Sequence, residues 1–324
     1  MNKYVRKRLL QAIPVIFGIT ILTFFIMKMA PGGPLGGMLS PRSSPEALLR
    51  AQEKLGLNKP IIVQYWNWLK ELVHGNFGYS TYNGQAVLDM ILERLPATLL
   101  LTVTSFLLSY IIGIPLGVYS ATHKYSKGDY GLTVFSFFGI SIPSFFFGMG
   151  LIYIFALKLR WLPTSGFGSA TFHGTGWALF WHKAKYLIMP AMVMSLANLS
   201  TVMRFVRSSM IETLSQDYIR TARAKGLSEK VVVFRHALKN SLIPVVTIFG
   251  ASIPNLFGGA YITEKVFGWP GMGLLGVDAI NNRDYPVIQG GVLMMALFIS
   301  VVMLLTDIVY AFVDPRIKSQ FKKS

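Results

Sequence analysis

Residues 98–121 read TLLLTVTSFLLSYIIGIPLGVYSA, twenty-four positions without one charged side chain. A helix rises about 1.5 Å per residue, so ~20 apolar residues cross the ~30 Å hydrocarbon core of a bilayer, and this stretch is long enough to span it. Five further stretches share its character: 9–27, 132–157, 186–203, 241–263 and 287–313. The fourth is the shortest and contains Pro190, and the sixth carries one acid, Asp307, near its end. The predicted fold class is therefore all-α, a polytopic membrane protein with six transmembrane helices in a single domain over residues 1–324.

Composition points the same way. Hydrophobic residues make up 52% of the 324 and charged residues 14%, against about 25% charged in soluble domains. The complete lack of cysteine excludes disulfides, thiolate metal sites and thiol nucleophiles. The start MNKYVRKR followed by an apolar run resembles a signal peptide. The run is too long for a secretory h-region, however, and MKMAPGGP offers no small-residue cleavage site, so the segment is expected to stay as a helix. Residues 161–181 are free of charge, but their TSGFGSATFHGTG run has little apolar surface. They are expected to form an extramembrane loop with Trp177 and Trp181 at the interface.

The net charge of +17 could signal nucleic acid or the anionic inner face of a membrane, and its distribution decides between them. With the N-terminus inside, segments 1–8, 122–131, 204–240 and 314–324 hold 4, 2, 8 and 4 basic residues. That is 18 in 66 positions, against 13 in about 120 positions outside. The positive-inside rule thus predicts an N-in, C-in topology in the cytoplasmic (inner) membrane. It leaves no basic surface or recognition motif for nucleic acid.

Segment 204–240 is too long to be a simple connector. Its part SQDYIRTARAKGLSEKVVVFRHALKN reads as helix, turn, helix. Asp217 favours the start of a short helix bearing Ile219, Ala222 and Ala224, Gly226 suits a left-handed C-cap, and Ser228 with Glu229 starts the next helix. Small alanines permit close approach of another backbone, while Arg220, Arg223 and Lys225 offer charge-assisted hydrogen bonds. The pattern describes a docking knob or, alternatively, a basic helix lying on anionic lipid.

This segment is similar to the EAA loop of ABC importer permeases. Gly226 holds the glycine place, Arg220, Thr221 and Ala222 stand where Glu-Ala-Ala would, and Leu238 matches the later leucine. The form YIRTARAKGL followed by HAL, Asn240 and Pro244 looks like that of peptide permeases. APGGP at 30–34, with Gly33 in place of an Asp, LGLNKPIIVQY at 55–65 and HGNFGYS at 74–80 resemble the same family, as do FGWPGMG at 267–273 and RDYPVIQGGVL at 283–293. The chain thus resembles the first permease of the oligopeptide/dipeptide/nickel importer family, with a type I permease-like fold.

The resemblance implies a function for the knob. An ATPase subunit would receive Asp217, Tyr218, Arg220, Thr221, Ala222, Arg223, Ala224, Lys225, Gly226 and Leu227 in a groove and move the transmembrane helices as ATP turns over. It also implies a second permease making a heterodimer, two ATPase subunits carrying ATP and Mg, and an extracytoplasmic binding protein docking on the outside loop 30–97. This chain itself would hold no cofactor. Peptide is favoured over nickel because nothing resembles a metal relay. Nickel import by the same architecture, and a self-sufficient secondary transporter or channel, are the alternatives.

Other motifs carry no chemistry of their own. Gly271, Gly273 and Gly276 satisfy GxGxxG without a βαβ context and are read as a turn, and no GxxxxGK[ST] occurs. The histidines at 74, 123, 173, 182 and 236 lack metal-ligand spacing, and no acid or histidine inside a span could activate a serine. Midplane charge, the mark of ion-driven transport, is nearly absent from the spans. Breaks are present instead. Ser141, Pro143 and Ser144 in the third span and Pro254 and Asn255 in the fifth fall near the bilayer centre, where backbone groups freed by proline need protein or water partners. They are candidates for the translocation path, with helix packing around a kink as the alternative.

Overall fold

The structure, a computed structural model, describes residues 2–29, 53, 56–169, 172–242, 245 and 260–313. In chain order its helices are α1 (Asn2–Met29), α2 (Ile61–Val73), α3 (Val87–Thr122), α4 (Lys127–Ser141), α5 (Ser144–Leu151), α6 (Gly176–Leu214), α7 (Asp217–Ala224), α8 (Glu229–Val231), α9 (Met272–Asn281) and α10 (Tyr285–Val313). The α5 and α8 helices run on as π-helical turns over Ile152–Lys158 and Val232–Ala237. Extended pairing among the described residues is limited to one antiparallel bridge, Tyr79 with Ala86. The chain divides into two units, Met1–Ala97 with Gly271–Leu304, and Thr98–Pro270 with Leu305–Ser324.

In the first unit, Tyr65 of α2 is the hub against α1. Its hydroxyl shares a 2.8 Å hydrogen bond with Thr20, and its ring lies edge-on to Phe24. Lys28 at the end of α1 donates to the Gln64 side chain, whose amide in turn donates to the carbonyls of Leu57 and Lys59. A second core holds Val87 and Ile91 against Met272, Leu275 and Ala279 of α9 and Val287 of α10. Asp284 closes the turn between α9 and α10 by accepting from Ser80 Oγ and, at 3.0 Å, from the Thr81 N–H.

In the second unit, α3 and α6 meet through glycine. A Cβ added at Gly117 would lie 2.7 Å from the Met203 carbonyl oxygen and from Val206 Cβ, and one at Gly113 would lie 3.1 Å from the Leu199 carbonyl oxygen. Only residues without side chains allow the backbones to come this close, the packing mode expected where no hydrophobic effect drives helices together. Two serine hydroxyls at this interface are satisfied within the protein, whereas Thr102 Oγ1 of α3 and Ser200 Oγ of α6 are buried without a hydrogen-bond partner. Ser105 donates to Leu101 O at 2.7 Å, and Ser109 bonds Ser105 O at 2.8 Å and Ser195 O of α6 at 3.1 Å. Val103, Leu107 and Ile111 stay exposed at four-residue spacing, a lipid-compatible stripe.

Among the described residues, four helices are long and apolar enough to cross a membrane: Leu10–Met29, Val87–Thr122, Gly176–Leu214 and Tyr285–Thr306. They overlap the first, second, fourth and sixth expected spans. The third differs from the uninterrupted span expected over 132–157, because α4 and α5 meet at a bend of 108°. Pro143 is the cause: it supplies no N–H to α4 and forces Ile142 into extended backbone (ψ 128°), which ends the helix. Of the fifth expected span, only 241, 242, 245 and 260–263 lie within the described residues.

Two loop expectations also change. The α6 helix starts at Gly176, so Trp177 and Trp181 lie on its first turns rather than in a loop, with Trp177 stacked on Phe180 at 5.2 Å. It continues through Pro190 to Leu214, which gives it the first eleven residues of segment 204–240. At the GxGxxG sequence, Gly271 is the N-cap of α9 and Gly273 and Gly276 are helical, so the motif starts a helix instead of forming a turn.

Candidate functional site

The helix, turn, helix expected in segment 204–240 is present as α7, a tight turn and α8. Gln216 is the extended N-cap, Asp217 puts a carboxylate in the first turn where the helix dipole favours it, and Thr221 Oγ1 donates to Asp217 O at 3.1 Å. The far end is a Schellman motif. Gly226 N–H bonds Arg223 O at 2.9 Å and Leu227 N–H bonds Ala222 O at 3.4 Å, with Gly226 at φ +77°, a conformation costly for any residue with a Cβ. Ser228 is the extended N-cap of α8.

Three fastenings hold α7 on the rest of the unit. Ile219, fully buried, and Ala222 enter a core made by Val118 and Ala121 of α3, Val206 and Met210 of α6, and Val232 and Ala237 of the π-helical turn. Arg223 grips Glu229 in a bidentate pair, Nε to Oε1 at 2.7 Å and Nη2 to Oε2 at 3.3 Å. Asn240 donates to the Tyr218 hydroxyl at 3.1 Å. The guanidinium beside it holds the Glu229 carboxyl below the usual carboxylate range, and the same pairing raises Arg223.

This arrangement sorts the expected docking residues. Asp217, Tyr218, Arg220, Thr221, Arg223, Ala224, Lys225, Gly226 and Leu227 form one exposed surface. Ala222 turns inward and lets α7 pack closely on its own core. Arg223 is already engaged by Glu229, whereas Arg220 has only a loose 3.8 Å approach to Asp217, both fully solvated. Among the path candidates, Ser141 and Pro143 are exposed and Ser144 half-buried at the break between α4 and α5. Pro254 and Asn255 lie outside the described residues. No group of three or more His, Asp or Glu among the described residues is placed to hold a metal.

The knob, rooted in its unit's core, follows directly on α6, a helix long and apolar enough to cross a membrane. Residues 113–319 match the family described as binding-protein-dependent transport system inner membrane component, and residues 1–102 match its N-terminal companion. The chain belongs to this family. The permease is 46% identical to the oligopeptide transport system permease protein AppB of Bacillus subtilis, over 98% of this chain and all of that one. It is 39% identical to the di/tripeptide transport system permease protein DppB of Pseudomonas aeruginosa, over 99% of this chain and all of that one. A chain in a structure of inward-facing conformations of the MetNI methionine ABC transporter shares the fold at TM-score 0.57 and 16% identity, over 70% of this chain and 97% of that one. The permease is thus a multi-pass inner-membrane component of an ABC transporter. It is not an enzyme, and ATP hydrolysis resides on separate subunits.

Sequence reasoning missed several residues that the structure makes prominent. Ile219 was placed on the short helix but not recognised as its buried root, for which its three-residue spacing from Ala222 is the available signal. Glu264, just beyond the fifth expected span, is fully buried and accepts from Thr98 Oγ1 at 2.7 Å. The buried Asp129 pairs with the half-buried Arg207 across 78 positions, for which no local pattern exists.

Proposed function

We propose that the permease forms half of the translocation pathway of a peptide importer and that the α7 surface is where an ATPase subunit engages it. The observation that carries this is the construction of the knob: the exposed residues sit on α7 and the Schellman turn that ends it, rooted in the unit's core and leading through α8 to the start of the fifth span. The full-length likeness to permeases named for oligopeptides and di/tripeptides supports peptide as the substrate class. The density of basic residues supports six spans with both termini in the cytoplasm, which puts α7 on the side where ATP is available.

In this reading a second permease completes the pathway, two ATPase subunits bind ATP and Mg, and an extracytoplasmic binding protein delivers peptide to the outside loop 30–97. The break at Ser141, Pro143 and Ser144 borders the path. Freed backbone groups there are tolerated where they line protein or water, which supports that position. The test is co-purification. ATPase subunits should be retained by the natural chain and lost from one in which Arg220→Glu and Lys225→Glu reverse the free charges of α7. Equal retention would remove the knob from the contact.

A further inference from the structure

We propose that Asp129 and Arg207 are positioning residues of the transport cycle, forming a joint that makes α4 move as one body with the knob. Asp129 lies in the first turn of α4, 2% exposed, and both its oxygens are fully used. Oδ1 accepts from Arg207 Nε at 2.7 Å and from Ser120 Oγ. Oδ2 accepts from Arg207 Nη2 at 2.8 Å and from the Tyr125 N–H at 3.0 Å. One carboxylate therefore ties together the last turn of α3, the turn after it, α4 and α6. Tyr125 is held at φ +65°, an uncommon conformation for a side chain of its size, with its N–H aimed at this carboxylate.

The position of the joint gives it a mechanical meaning. Arg207 is flanked on α6 by Val206 and Met210, which form the socket for Ile219 and Ala222 of the knob. Asp129 stands twelve residues before Ser141, about 18 Å along α4 from the break. A displacement of the knob reaches Arg207 through the socket, and a displacement of Asp129 reaches the break along the helix. Further along the same helix pair, Phe137 of α4 receives the Arg204 guanidinium over its ring at 5.2 Å, and Gly139 packs on Leu196.

An apolar interface would hold α4 and α6 together as tightly, since a buried ion pair often adds little net stability. It would also let them slide, because packed helices shear at small cost. A four-donor carboxylate resists sliding: a shift of about 1 Å takes its bonds outside hydrogen-bond geometry. The ion pair therefore supplies direction more than stability.

The inference rests on the ATPase-coupling reading of α7, and the experiment separates the two. The complete transporter, with partner permease, ATPases and binding protein, is reconstituted in proteoliposomes, and peptide import and ATP hydrolysis are measured together. Asp129→Asn should leave hydrolysis within threefold while import per ATP falls at least tenfold. Unchanged import per ATP, or import and hydrolysis falling in step, overturns the joint. Because the chain has no cysteine, the pair Asp129→Cys with Arg207→Cys can be bridged by a bifunctional thiol reagent in the purified permease, with no other thiol of this chain competing, before the complex is assembled. Bridging should restore import per ATP relative to the unbridged pair, and a bridge that abolishes import would show that the joint must open, contradicting the proposal. Arg220→Glu is run alongside. Loss of import in that variant with normal coupling in Asp129→Asn refutes the joint alone, whereas normal import in Arg220→Glu refutes the coupling reading and the joint with it.

Discussion

Truncating the root of the knob should release it without unfolding the permease. Ile219→Ala removes three buried carbons, and at ~0.8 kcal/mol per CH₂ the lost transfer free energy is about 2.4 kcal/mol. A residual cavity of ~60 Å³, most of the removed volume, adds about 1.4 kcal/mol at ~24 cal/mol per Å³. The total is about 4 kcal/mol if the site stays rigid, falling to about 2 kcal/mol if Met210 and Val232 collapse into the space. The α7 helix has eight residues and makes few other contacts, so the loss appears as local opening. At 1.4 kcal/mol per tenfold, amides of the knob should exchange hydrogen ~30 to ~700 times faster than in the natural chain. Lys225 N–H, bonded to Thr221 O, and Gly226 N–H, bonded to Arg223 O, are the reporters. Hydrogen exchange read by mass spectrometry in lipid nanodiscs measures this, with Arg220→Ala as an exposed control expected to change exchange less than twofold. If Ile219→Ala exchanges no faster than the control, the burial of Ile219 does not hold the knob, and the energetic argument is wrong.

Three other outcomes follow from particular contacts. Gly117→Ala puts a methyl 2.7 Å from the Met203 carbonyl oxygen and should cost about 1–3 kcal/mol, lowering the thermal unfolding midpoint, whereas Gly18→Ala, with nothing within 4 Å, should leave it in place. Glu229→Gln should loosen the α7–α8 turn by no more than about 0.5 kcal/mol, because the pair with Arg223 is exposed. The folded value of this carboxyl lies below its ordinary 4.5, so the pairing contributes fully above pH 4.5 and is lost as pH falls through the lowered value. Knob exchange, corrected for intrinsic rates, should therefore be flat above the ordinary carboxylate range and rise only as pH falls through the lowered value. Pro143→Ala restores an N–H to α4, and spin labels on Tyr130→Cys and Leu157→Cys, both exposed, should report a longer distance than in the parent; an unchanged distance would mean that packing, and not proline, sets the bend.

Much of this architecture is legible in the sequence because lipid makes its demands locally. Twenty-four uncharged residues at 98–121 can do little else than span, and the structure extends them only by the helical turns of 87–97. The knob is equally readable, since Asp217 in a first turn and Gly226 and Ser228 at helix ends are terminus signals, and such signals act over three or four residues. What escaped detection depends on distant partners. The continuity of α6 through Pro190 goes with distant packing, since Met189 and Val193 on either side of it enter a core with Leu151, Ala156 and Phe267. The inward turn of Ala222 follows from where α3 and α6 lie. The ion pair of Asp129 with Arg207 and the burial of Glu264 against Thr98 join positions far apart in the chain, and one sequence gives no hint of which charges will meet.

Reconstituted transport tests the central claim most directly. The permease in liposomes, alone or with its partner permease, the ATPases, the binding protein and ATP, is offered a labelled peptide. Accumulation only in the complete, ATP-supplied system is the predicted result; accumulation by the permease alone would contradict it.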